Sequence, residues 1–182
     1  MPLLRLAVVT LVSLHWTGGS ISHPELNPEL GKYQDEGPQC FPLTETWYMV
    51  YRNYESDPVF GGTAGCLRYT QEGPMSNGTV PLVIRYGNDA VYATGFLASS
   101  PGYTAENIIG LKVQGRTDSQ LLYDSYVDCS ACAVRRMSYV NENACALFSP
   151  ESHMVHDTRC CDFIFDLLCG SSPKYFIFNK SC

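Results

Sequence analysis

The 182-residue chain has few charged residues, and the basic ones are the scarcer kind. Charged side chains make up 16% of the sequence, against roughly 25% in an average soluble domain. Lys and Arg number 12 and Asp and Glu number 18, so the formal net charge is 12 − 18 = −6. Such a chain lacks the basic surface with which proteins displace counterions from phosphates, so the composition argues against nucleic acid as a partner.

Sequence motifs of enzymatic chemistry are also missing. No GxSxG, HExxH, P-loop or GxGxxG pattern occurs. The acidic residues of the C-terminal half form no paired-carboxylate pattern, and they include Asp124, Asp128, Glu142 and Asp162. We therefore expect a protein that is not an enzyme.

The first 22 residues have the pattern of a secretory signal peptide. Arg5 precedes an apolar run from Leu6 to Trp16, and small residues follow between Gly18 and Ser22. The run has about 11 positions, whereas a membrane-spanning helix needs roughly 20. We expect residues 1–22 to be removed, which leaves one domain at residues 23–182 that is secreted and has no membrane span.

Nine cysteines lie after this segment. Thiols pair in an oxidising compartment, so an odd number leaves at least one that is free or joined to another chain. The CxxC spacing of Cys129-Ser-Ala-Cys132 and the nearby His153 and His156 also resemble a zinc or redox site, but the secreted setting favours disulfides. We expect no metal and no cofactor. The sequons at Asn77 and Asn179 predict glycans.

Short apolar or aromatic segments, separated by Gly, Pro, Asn and Asp, predict eight strands. They are 46–54, 65–70, 79–86, 90–97, 107–114, 120–126, 131–140 and 144–148. Residues 23–34 predict a short helix or extended arm, 159–169 an amphipathic helix that packs on the sheet, and 175–178 a last strand. This order is typical of an all-β sandwich or up-and-down barrel, and eight strands enclose room for one small ligand.

Several segments then resemble one family. The run Trp47-Tyr-Met-Val-Tyr-Arg-Asn-Tyr54, followed by Asp57-Pro-Val-Phe-Gly61 and Cys66, resembles the first two strands of the tick salivary lipocalins, typified by the histamine-binding proteins. The resemblance continues through Thr104-Ala-Glu-Asn107 and the cysteine-bearing segments to Cys182. It implies an eight-stranded up-and-down antiparallel lipocalin barrel with a short N-terminal helix, a C-terminal helix on the wall and a tail strand.

The resemblance also implies disulfide pairings. It pairs Cys66 with Cys182, and one of Cys129 or Cys132 with one of Cys160 or Cys161. Cys40 then takes the other member of that adjacent pair. Cys132 with Cys145 is a further pairing between neighbouring strands, and it leaves Cys129 or Cys169 as the odd thiol.

The resemblance is weaker where the family binds amines. It places an aromatic, an acid and an aromatic of the site at Tyr54, Asp57 and Phe60, although Asp-Pro is also a common turn. The amine-binding motif of the family has two acids where this chain has Ala133 and Ala146. These losses favour the japanin-like branch, which does not bind amines.

An interior without these carboxylates favours a hydrophobic ligand. We expect a sterol first and an eicosanoid or fatty acid second, with Arg52, Arg68 or Arg85 favouring the anionic lipid if any of them points inward. Period-two alternation, together with the positions implied by the resemblance, predicts the residues that surround the ligand. They are Tyr48, Tyr54, Asp57, Phe60, Leu67, Ile84, Phe96, Ile109, Leu111, Val134 and Phe148.

Two other functions stay open. One is capture of a biogenic amine, histamine or serotonin, through Asp57 and acids that the sequence does not reveal. The other is binding of a host immune-cell receptor, complement component or other plasma protein, with the barrel as a scaffold. In each case we expect a monomer in tick saliva that modulates the host's immune or inflammatory response.

Overall fold

The computed structural model describes residues 23–182 apart from positions 155, 157 and 172. The predicted signal peptide, residues 1–22, lies outside the described residues. Within the described part, no helix is both long and apolar enough to cross a membrane.

The N-terminal segment is helical in short pieces: two 3₁₀-helices, Pro24–Leu26 and Pro28–Tyr33, precede helix α1, Gly37–Cys40. The strands are β1 Trp47–Arg52, β2 Arg68–Gln71, β3 Thr79–Tyr86, β4 Asp89–Ala98, β5 Ile108–Val113, β6 Ser119–Asp128, β7 Cys132–Met137 and β8 Cys145–Pro150. A 3₁₀ turn at Glu151–His153, helix α2 at Arg159–Cys169 and strand β9 at Tyr175–Phe176 complete the chain.

Strand β1 closes the barrel, because it pairs with β8 on one side and with β2 on the other. On this second side β1 pairs with β2 through Trp47 and Tyr48, and with β9 through Tyr51 and Arg52 further along the same edge. All neighbours are antiparallel and follow chain order from β1 to β8. The predicted fold, a closed eight-stranded lipocalin-type barrel with a tail strand outside it, is confirmed.

Two hydrophobic clusters lie on opposite sides of the barrel wall. The larger fills the interior and includes Met49, Leu82, Leu111 and Phe148. The smaller lies between the wall and α2, where the rings of Tyr51 and Phe165 meet edge to face at 4.8 Å. Since α2 covers β7 and β8 from outside, every residue of these two strands is buried.

Four disulfides connect the described residues: Cys40–Cys129, Cys66–Cys182, Cys132–Cys161 and Cys145–Cys169. The structure thus contains the implied Cys66–Cys182 bond and a bond from β7 to α2. It corrects the partner of Cys40, which is Cys129, and that of Cys145, which is Cys169.

The free cysteine among the described residues is Cys160, so the disulfide that the resemblance implies for it is wrong. The reason is its position on α2. Cys161 and Cys169 are eight residues apart, so they share the helix face that packs on the wall with Phe165. Cys160 lies off that face and is exposed.

Candidate functional site: a buried arginine between two carboxyl groups

Most of the residues predicted to surround a ligand do face the barrel interior. They are Tyr54, Asp57, Phe60, Leu67, Ile84, Ile109, Leu111 and Phe148. The structure places Tyr48, Phe96 and Val134 on the outer face instead.

These three corrections have a common physical cause. Val134 packs beneath α2, and Tyr48 contacts the ring of Phe178 at 5.3 Å. Phe96 covers Gly110 from outside, since a Cβ at that glycine would lie 2.1 Å from its ring. Where the outer face is also covered, hydrophobicity marks both faces of a strand and cannot tell which one is inward.

The interior of the barrel is almost filled by its own side chains. The enclosed cavity has a volume of about 10 Å³ and is bounded only by apolar surface. Its lining residues are Phe41, Leu43, Tyr69, Leu82, Ile109, Leu111 and Leu122. Phe41 and Leu43 lie between α1 and β1, so a non-strand segment forms one wall of this cavity.

One polar group of residues, the Asp57 cluster, lies where the loop after β1 folds into the barrel end, and it comprises Arg52, Tyr54, Asp57 and Tyr139. One Asp57 oxygen accepts hydrogen bonds from the hydroxyls of Tyr54 at 3.1 Å and Tyr139 at 2.8 Å. The other accepts from the backbone N–H groups of Val59 at 2.9 Å and Phe60 at 2.8 Å. Burial raises the pKa values of both tyrosines, so both hydroxyls keep the protons that they donate.

Asp57 therefore organises a loop, as its turn interpretation predicts, with both oxygens occupied. Arg52 points inward beside it and donates through one terminal nitrogen to the carbonyls of Glu55 at 2.7 Å and Gly62 at 2.6 Å. The other terminal nitrogen lies 3.9 Å from Asp57, and this nitrogen and Nε lack hydrogen-bond partners among the described residues. Arg68 donates to the carbonyl of Cys66, and Arg85 forms an exposed pair with Glu72.

A second polar group, the Arg135 cluster, consists of Glu36, Tyr69, Asp124 and Arg135, all buried. Arg135 donates from Nε to Asp124 Oδ1 at 2.9 Å. Its two terminal nitrogens donate to Glu36 Oε1 and to the hydroxyl of Tyr69. The opposite oxygens, Glu36 Oε2 and Asp124 Oδ2, are buried without a hydrogen-bond partner among the described residues.

Four parts of the chain bring this cluster together, and Tyr69 comes from β2. Glu36 immediately precedes α1, whose Cys40 is bonded to Cys129 at the end of β6. Asp124 lies on β6, in the same inward phase as the buried Leu122. Arg135 lies on β7 between buried positions.

Small neighbours leave room for the Arg135 side chain inside the barrel. Ala146 on β8 is its direct cross-strand partner, and Ala133 is two residues away on the same face of β7. The positions at which the resemblance implied acids are thus inward, and the space beside them holds a guanidinium group.

The charge of the Arg135 cluster depends on the proton of Asp124. With both carboxyl groups ionised, one guanidinium and two carboxylates give 1 − 2 = −1, and a proton on Asp124 brings the sum to zero. Burial, the charge of Glu36 and a side-chain hydrogen bond between the two carboxyl groups raise the pKa of Asp124 well above its usual range, although Arg135 opposes this. Burial alone would lower the pKa of Arg135, but the carboxylate of Glu36 and its other neighbours raise it, so the guanidinium keeps its charge.

Neither Glu36 nor Asp124 was among the residues predicted from the sequence. For Asp124 a signal existed, because Gln120, Leu122 and Asp124 alternate on one face of a predicted strand whose apolar member should point inward. For Glu36 the segment has no periodicity, so no local pattern marks it as buried. The expectation of an interior free of carboxylates is corrected by these two residues.

One known protein family matches almost all of the described residues. The family model described as tick histamine binding protein matches residues 24–182. The chain belongs to this family. A search of curated proteins finds no significant match.

One solved structure similar to this histamine-binding family member is the crystal structure of AM182 in complex with serotonin. The two share 16% sequence identity and a TM-score of 0.53, over 76% of this chain and 84% of that one. This likeness supports the lipocalin-like fold. The family and the fold are those of ligand-binding proteins.

Proposed function

We propose that this chain binds a small organic amine inside its barrel, with the ammonium group held by Glu36 and Asp124. The observation that carries the proposal is a pair of buried oxygens, Glu36 Oε2 and Asp124 Oδ2, that accept no hydrogen bond from any donor group of the described residues when both acids are ionised. A buried acceptor without a donor costs roughly 1–3 kcal/mol, and more for a charged group. An ammonium ion supplies donors to both oxygens and the positive charge that balances the cluster when Asp124 gives up its proton.

The surroundings of the cluster suit the rest of such a ligand. Tyr69 belongs both to the Arg135 cluster and to the lining of the apolar cavity, so the cavity adjoins the acids. At about 10 Å³ the cavity is far smaller than an aromatic ring, so binding requires side chains to move. Phe41 and Leu43 are the natural ones to do so, because they lie outside the strands.

The test is calorimetric titration of the mature protein with 2-phenylethylamine, serotonin and histamine. Glu36→Gln and Asp124→Asn should each weaken amine binding about 10- to 100-fold, the loss of one charge-assisted hydrogen bond. Glu29→Gln removes the same charge from an exposed position and should leave the affinity unchanged. Thermal unfolding of each variant controls for folding.

Equal affinities for the three variants and the unaltered protein would place the amine elsewhere, and failure of all three amines to bind would refute the proposal.

A hydrophobic ligand is the second candidate. It is supported by the wholly apolar lining of the enclosed cavity. Within this candidate, the unpartnered donors of Arg52 favour an eicosanoid or fatty acid, which carries a carboxylate, over the sterol that the sequence places first. The neighbouring Asp57 already balances the charge of Arg52. An anionic ligand would therefore gain less at the Asp57 cluster than a cationic ligand would gain at the Arg135 cluster.

Native mass spectrometry of protein secreted from insect cells separates the two candidates. A copurified lipid mass would support the second candidate, and an empty barrel that accepts an amine would support the first.

The setting of this function remains a proposal as well. Secretion agrees with four disulfides among the described cysteines, since such bonds persist in oxidising compartments. Asn77 and Asn179 are both exposed, as glycan acceptors must be. Action in tick saliva on host responses, through the ligand or through a receptor or plasma protein, follows from the family resemblance.

A further inference from the structure

Arg135 occupies an unusual position for a cation, deep inside the barrel. Its side chain is 1% exposed, and its guanidinium carbon lies 5.0 Å from the ring centre of Phe148 and 5.5 Å from that of Trp47. Each guanidinium nitrogen donates to Tyr69, Glu36 or Asp124. The group is therefore fixed on every side by aromatic rings and acids.

We propose that Arg135 determines the charge of the ligand: it acts as a resident cation, so that the acid pair accepts a ligand with one positive charge and excludes one with two. This inference rests on the proposed amine-binding function. Arg135 uses one oxygen of each acid, Glu36 Oε1 and Asp124 Oδ1. When both acids are ionised, the other oxygen of each acid has no donor among the described residues, which matches a single ammonium group.

The charge balance leads to the same selectivity. A monocation brings the ionised cluster from −1 to zero, whereas a dication brings it to +1. An uncompensated charge in a dry interior is strongly unfavourable, so the second ammonium group of a dication has no place in the barrel. Without Arg135, the acids would carry −2 and a dication would balance them.

Proton release is a second consequence of this arrangement. The groups that face Asp124 are Glu36, Arg135 and Tyr69, and burial with the repulsion of Glu36 favours a proton on Asp124 when no ligand is bound. When an ammonium ion binds, its positive charge balances the second carboxylate in place of this proton, and Asp124 releases the proton. Calorimetry in buffers of different ionisation enthalpy should detect about one proton released for each monoamine bound.

The selectivity test compares 2-phenylethylamine with 1,3-diaminopropane, which carries two charges at neutral pH. In Arg135→Ala the affinity ratio should shift at least tenfold toward the diamine, because its second ammonium takes the space of the guanidinium. Guanidinium chloride at millimolar concentration should restore 2-phenylethylamine binding to the same variant. Arg116→Ala removes an exposed arginine and should leave the ratio unchanged.

The outcomes separate this inference from the function on which it rests. If amines bind and the ratio does not move in Arg135→Ala, the role of Arg135 is refuted while amine binding stands. If no amine binds the unaltered protein, both proposals fail. If Arg135→Ala does not fold, the unaltered protein decides: tighter binding of 2-phenylethylamine than of 1,3-diaminopropane supports the resident cation, and equal or tighter binding of the diamine refutes it.

Discussion

Replacing Arg135 with methionine is expected to lower the free energy of unfolding by about 3–5 kcal/mol at neutral pH, the usual cost of removing one partner of a buried ion pair. The substitution leaves Glu36 and Asp124 buried without a cation. Urea denaturation followed by tryptophan fluorescence measures the loss. Arg116→Met is the matched control: its ion pair with Asp118 is exposed, so its loss should cost no more than about 1 kcal/mol.

The stability that Arg135→Met loses relative to the unaltered protein should be smaller at acidic pH than at neutral pH. Protonation of the two carboxyl groups removes the uncompensated charge, so the difference in unfolding free energy should shrink as the pH falls. A loss equal to that of Arg116→Met, or one that is the same at acidic and neutral pH, would contradict the charge balance described for this cluster.

Asp124 has its own pH signature in the unaltered protein. Its pKa is raised by burial and by Glu36, so the folded state holds a proton that the unfolded chain gives up. Its contribution to stability is therefore complete below the ordinary aspartate pKa and is lost as the pH rises through the raised value. Asp124→Asn should remove this part of the pH dependence. An unchanged profile would contradict the raised pKa.

Removing the Cys66–Cys182 disulfide, as Cys66→Ala with Cys182→Ala, is expected to lower the free energy of unfolding by about 3–5 kcal/mol. The bond spans 116 residues, so it restricts the unfolded chain more than the other three described bonds do. It also fixes the chain end beside the loop before β2, where Cys66 N–H donates to the Ile177 carbonyl at 2.8 Å.

Chemical denaturation of the double variant provides the measurement. Cys160→Ser is the control, because Cys160 is exposed and free, and it should change stability by less than about 0.5 kcal/mol. A double variant as stable as this control would show that the bond adds nothing to the fold. A Cys160→Ser variant with a scrambled disulfide pattern would contradict the assignment of the free thiol.

The sequence predicted the strands well because each is a short apolar segment between turn-forming residues. Strand β3 and helix α2 have the predicted bounds, and the eight strands follow the predicted order. These features depend on neighbours in the chain, which a pattern can show. The family motifs then selected the barrel over the sandwich.

The site was harder to predict, because its residues depend on partners distant in the chain. On β7, the apolar Val134 suggested an inward position, but α2 covers the outer face and Arg135 is the inward residue. Glu36 is buried only because its segment folds against the barrel. The Cys40–Cys129 bond likewise forms because the segment that holds Glu36 and Cys40 folds against the barrel. No spacing in the sequence shows which cysteine of the CxxC motif, Cys129 or Cys132, is the partner of Cys40.

A crystal structure of the protein grown with 2-phenylethylamine tests the central claim most directly. We expect the ammonium nitrogen within about 3 Å of both Glu36 Oε2 and Asp124 Oδ2. Arg135 should still donate to their other oxygens, and the phenyl ring should lie among the apolar residues beside Tyr69. An amine bound at the Asp57 cluster or on the outer surface would contradict it. So would a lipid in the barrel with the two free carboxyl oxygens left unpaired.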